Sequence, residues 1–105
     1  MGDLRHGERG ARDKSETLVR RRVTVSGRVQ GVFFRDTCRR EAARRGVSGW
    51  VRNCRDGTVE AVLEGPPEAV EGVVSWMRSG PASAEVDGVQ VSTEEPAGER
   101  GFAVR

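Results

Sequence analysis

Hydrophobic positions along this chain change their spacing several times, and each change marks an element. Val19, Val23 and Val25 share one parity while Arg20, Arg22 and Thr24 hold the other, the alternation of a half-buried first strand ending near Ser26. A loop bracketed by Gly27 and Gly31 follows. From Phe34 to Arg45 the period becomes helical: Phe34, Cys38 and Ala42 stack at i, i+4 and i+8, with Arg39, Arg40, Glu41 and Arg44 facing water. Gly46 suits the helix stop. Val47, Gly49 and Val51 then alternate with Ser48, Trp50 and Arg52 as a second strand, and Asn53 falls at its end on the parity of Val51. Asp56-Gly57 is a hairpin turn signal. Beyond it Val59, Ala61 and Leu63 alternate with Thr58, Glu60 and Glu64 as a third strand, with Glu60 and Glu64 expected on a solvated face. Pro66-Pro67 stops that strand and suits a helix start. Val70, Val73, Val74 and Met77 recur at the spacing of a core-facing helix, which Gly80-Pro81 ends. Val86 to Val91 reads as a fourth strand and Phe102 to Val104 as a short fifth.

This order predicts an α+β fold, a ferredoxin-like split βαβ sandwich: an antiparallel sheet of four to five strands with two helices on one face. Residues 1–17 are polar and lack apolar periodicity, so they are expected to form a disordered extension, leaving 18–105 as the folded domain. A chain of 105 residues, 35% hydrophobic and 32% charged, supports one domain with a modest core.

Charge narrows the partners. The net +2 hides a split: residues 1–22 carry seven basic and four acidic side chains, whereas the remainder carries 11 basic and 12 acidic. A nucleic-acid binder carries its excess as a patch on the folded domain; here the excess sits near the N-terminus, so no nucleic-acid partner is expected. No apolar run approaches the ~18 residues of a membrane span, and no apolar signal segment is present, so the chain is expected in the cytoplasm and off the membrane. Cys38 and Cys54 lack metal-ligand spacing and the sole histidine, His6, lies in the extension. Two free thiols, no metal and no cofactor are expected.

The candidate chemistry lies in two segments. Between Gly27 and Gly31 successive N–H groups of Arg28 to Val32 can converge on one anion, and the positive end of the following helix adds to the field. Arg35, on the first turn, can reach the same anion and grip two of its oxygens with one planar fork. Asn53 delivers an amide at the end of the neighbouring strand. Each feature has a plainer reading: a glycine-rich turn without ligand, a solvated arginine, a turn asparagine. Against the second, a cation at a helix N-terminus opposes the dipole unless an anion compensates it. The combination on adjacent elements favours an anion site.

Gly27-Arg28-Val29-Gln30-Gly31-Val32-Phe33-Phe34-Arg35 and Gly49-Trp50-Val51-Arg52-Asn53, with Asp56-Gly57-Thr58-Val59-Glu60, resemble the two signature segments of the acylphosphatases. The resemblance runs from about Val19 to the end and includes Gly80-Pro81 and the Phe102-Ala103-Val104 strand. It implies that the backbone of Arg28, Val29, Gln30, Gly31 and Val32 holds a phosphate, that Arg35 binds the same group, and that Asn53 orients the attacking water. It implies hydrolysis of an acyl phosphate to a carboxylate and inorganic phosphate, without metal or cofactor; a free-standing monomer is expected. The residues agree: the domain has no histidine and no evident nucleophile–base pair, so such a site needs a leaving group as good as a carboxylate, from an acid of pKa ~4. Two rivals are weaker. An RNA-binding ferredoxin-like sheet needs exposed aromatic pairs that this one lacks. The acylphosphatase-like domains that open larger hydrogenase-maturation carbamoyltransferases are followed by zinc-finger cysteines, absent here before Arg105.

Overall fold

The computed structural model describes residues 17–105; except for Thr17, the extension expected over 1–17 lies outside the described residues. The elements are β1 (Val19–Arg28), α1 (Phe34–Arg45), β2 (Ser48–Asn53), β3 (Val59–Gly65), α2 (Pro67–Met77), β4 (Glu85–Glu94) and β5 (Phe102–Val104). The strands form one sheet in the order β4-β1-β3-β2-β5, the ferredoxin-like arrangement. β1 pairs antiparallel with β3 and β4, and β2 antiparallel with β3. β5 departs from the antiparallel expectation. It lies parallel to β2, with Phe102 opposite Gly49 and Val104 opposite Val51. The connection explains this: β4 ends where β1 begins, Glu94 opposite Arg20, and residues 95–101 cross that end of the sheet. β5 therefore sets out in the direction of β1 and β2.

Helical spacing and strand parity meet on one sheet face. Phe34, Cys38 and Ala42 from α1 and Val70, Val73, Val74 and Met77 from α2 pack against Val23, Val25, Val51, Val59, Ala61 and Leu63. Phe34 also leans on Trp76, their ring centroids 5.3 Å apart.

The other face carries a buried charge cluster that parity alone does not reveal. Arg20 and Glu64 are only 9% and 3% exposed. The solvated reading of Glu64 is therefore corrected. Arg20 donates to Glu64 (3.0 Å), Glu94 (2.9 Å) and Glu99 (2.9 Å). Glu64 accepts the backbone N–H groups of Ala97 (3.0 Å), Gly98 (2.8 Å) and Glu99 (3.3 Å). The 95–101 crossover is thus pinned over the sheet and hides the carboxylate. The solvated reading of Glu60 is corrected as well: its side chain is 14% exposed and pairs with Arg22 and Arg52.

Burial pushes the Glu64 carboxyl up, but the three N–H donors and Arg20 outweigh it and hold it below its ordinary value. Glu64→Ala strands these donors and is expected to cost about 2–4 kcal/mol at neutral pH. A depressed carboxylate stabilises the fold above its unfolded pKa of ~4.3, and that stability is lost as pH falls through the lower folded value. Urea unfolding of both proteins at pH 7 and in acid checks this. The gap between them should shrink in acid, and equal midpoints at pH 7 would sink the lock.

Candidate active site

β1 delivers its end to α1 through a loop whose backbone is shaped by glycine. At Gly27 the β1–β4 register shifts and φ is 117°; a Cβ there would collide with the Glu85 carbonyl oxygen. Gly31 sits at φ 74°, a left-handed conformation open to glycine without penalty. The N–H groups of Gln30, Gly31 and Val32 have no hydrogen-bond partner among the described residues. The loop is braced from outside. Ser83 donates its hydroxyl to the Val32 carbonyl (3.0 Å), and Arg28 donates to the Ser83 carbonyl (3.2 Å). The Gln30 side-chain amide donates to the carbonyls of Cys54 (2.7 Å) and Thr58 (2.8 Å) in the β2–β3 hairpin. Unpartnered N–H groups in a braced loop at a helix N-terminus are what an anion cradle requires.

Arg35, second residue of α1, donates through Nη1 to the backbone oxygen of Arg105 at 2.9 Å. Arg105 is itself held, its N–H on the Val51 carbonyl (2.8 Å) and its guanidinium 4.4 Å from the centre of the Trp50 ring. Asn53 ends β2 on the helix-facing parity, and its amide makes no hydrogen bond among the described residues. Val29, Gly31, Arg35 and Asn53 line one cavity of about 500 Å³. Phe33, Phe34, Asp36, Arg39 and Val104 complete its wall. Asp36 brings a carboxylate to the cavity wall, where Arg39 (3.2 Å) and Arg40 (2.9 Å) pair with it.

The sequence-predicted residues thus divide. Arg35, Asn53, Val29 and Gly31 share the cavity wall. Arg28, Gln30 and Val32 stand behind it, their side chains directed to Ser83, to the hairpin and into the core respectively. Sequence reasoning missed the Gln30 and Ser83 braces, the backbone oxygen of Arg105 and the place of Phe33 and Val104 at the cavity. All depend on contacts between distant positions, 70 residues apart for Arg35 and Arg105. Cys38 is fully buried, and burial pushes its thiol up to about 12, so it is no nucleophile. Asp56 accepts from the N–H (3.0 Å) and hydroxyl (2.7 Å) of Thr58 and is a turn residue. Both cysteines are free.

The acylphosphatase family model matches residues 21–104. The chain belongs to the acylphosphatase family. An acylphosphatase of Rubrobacter xylanophilus is 57% identical over 104 residues, 97% of this chain and 93% of that protein. Among solved structures, an acylphosphatase from Coxiella burnetii superposes with a TM-score of 0.83 at 36% identity, covering 88% of this chain and 97% of that one. The acylphosphatase of Bacillus subtilis gives 0.80 at 36% identity, covering 85% and 99%. In this acylphosphatase-family chain the matched span holds the loop, Arg35, Asn53 and the whole of β5.

Proposed function

We propose that this chain is an acylphosphatase that hydrolyses the carboxyl–phosphate bond of acyl phosphates, with no metal and no cofactor. The observation that carries the reading is the shared cavity: unpartnered loop N–H groups behind it, Arg35 at its side and an unpartnered Asn53 amide facing it. The backbone from Arg28 to Val32 cradles the phosphoryl oxygens. Arg35 grips two of them and stabilises the charge that spreads over them in the transition state. The Asn53 side-chain oxygen accepts a hydrogen bond from water and aims it at phosphorus. The water oxygen bonds to phosphorus while the bond from phosphorus to the acyl oxygen breaks. The electron pair leaves with the carboxylate, and both water protons remain with the phosphate product, so a dianionic acyl phosphate gives two monoanions. A carboxylate leaves without a general acid, since its conjugate acid has a pKa of ~4. An alkoxide does not, so phosphate monoesters should be poor substrates. No helix among the described residues is long and apolar enough to cross a membrane. A monomer acting in the cytoplasm on a small acyl phosphate completes the proposal.

The test is hydrolysis of benzoyl phosphate by the purified chain with and without EDTA. The expected result is fast turnover, indifferent to EDTA, competitively inhibited by inorganic phosphate and far slower on p-nitrophenyl phosphate. No turnover by the folded protein would overturn the activity, and loss in EDTA would overturn the metal-independent mechanism.

A further inference from the structure

Phe33 combines two unfavourable features at one position. It is the one residue other than glycine with positive φ among the described residues, at φ 63° and ψ 23°. Left-handed backbone costs a residue with a Cβ roughly 1–2 kcal/mol, and a bulky side chain there is an outlier that points to function. The residue is also 80% exposed, so little packing inside the fold offsets that strain. Phe33 caps α1 without supplying a side-chain hydrogen bond, so capping does not account for the residue type either.

Phe33 stands in the wall of the cavity that also bears Arg35 and Asn53. Val104, 41% exposed, is in the same wall. Among the described residues four large hydrophobic side chains are exposed, and two of them, Phe33 and Val104, border this one cavity. The phosphoryl end is identical in every acyl phosphate, so discrimination between substrates must come from what touches the acyl group beyond the cradle. At this rim that is an apolar surface headed by an aromatic face.

We propose that Phe33 is a specificity-determining residue whose exposed ring receives the acyl group, favouring acyl phosphates with an aromatic or extended apolar acyl part over short ones. The proposal rests on the acyl-phosphate reading above. Ring-on-ring and ring-on-alkyl contact outlasts the chemistry, because the acyl part keeps its position between bound substrate and transition state. Such contact acts mainly through KM.

The test compares wild type with Phe33→Gly and Phe33→Asn on benzoyl phosphate and acetyl phosphate. Glycine and asparagine both accept the left-handed backbone, so the loop keeps its path. The preference for benzoyl over acetyl phosphate, taken as the ratio of kcat/KM values, should fall about tenfold in both variants, chiefly through a higher KM for benzoyl phosphate. Phe33→Tyr should retain the preference. Urea unfolding should show both variants at least as stable as wild type, since the strain is relieved. An unchanged ratio, or a wild type with no preference for benzoyl phosphate, would overturn the proposal while hydrolysis itself stood. A wild type inert on both substrates would overturn the activity and the proposal with it.

Discussion

Asn53→Ala is expected to lower the turnover of benzoyl phosphate about 10²–10³-fold, because misplacing a reacting group by as little as 1 Å costs about 10². The described residues contain no histidine, and the cavity's one carboxylate, Asp36, is engaged by Arg39 and Arg40. Asn53 offers a free amide on the rigid end of β2. Alanine is expected to leave the strand and the cradle intact and to remove only the group proposed to aim the nucleophile. Inorganic phosphate should therefore still compete, with an inhibition constant near that of wild type. Wild-type turnover in the variant would sink the water-positioning role.

Arg35→Ala and Arg35→Lys have a different expected signature: substrate binding and rate fall together. Removing one preorganised charge-stabilising donor costs about 10²–10³ in turnover. Lysine should not rescue it. An ammonium is a point charge, whereas the guanidinium holds the backbone oxygen of Arg105 with one nitrogen and has further N–H groups in its fork for the proposed ligand. Phosphate titration by calorimetry or by inhibition reads the binding part, and benzoyl phosphate kinetics the rate part. If Arg35→Ala titrated with phosphate as wild type does, the arginine would have no part in the anion site. The two substitutions thus separate the proposed roles: loss of Asn53 is expected to act on rate alone, loss of Arg35 on rate and affinity.

Much of this arrangement is legible in the amino-acid order, for a definite reason. Period-two and period-3.6 patterns report which side of an element is covered, so spacing alone places Val23, Val25, Val51, Phe34, Cys38 and Met77 in the core. Parity also puts Asn53 on the same side as Val51, the side on which α1 brings Arg35. What spacing does not report is a cover supplied from elsewhere in the chain. Arg20 and Glu64 occupy solvent-side positions by parity, yet the 95–101 crossover, more than 30 residues from Glu64, folds over them. The same crossover turns β5 parallel. Phe33 is legible only as part of a signature segment. Its backbone angle is a property of the loop's path, and no composition rule announces a strained phenylalanine.

The double hydrogen bond from Gln30 to the Cys54 and Thr58 carbonyls has a temporal consequence. It yokes the loop that would hold the electrophile to the strand end that would hold the nucleophile, so the two sway together rather than independently. In the proposed reaction their separation is set before substrate arrives, and the entropy of aligning them is lost once, as the chain folds, and not again in every catalytic cycle.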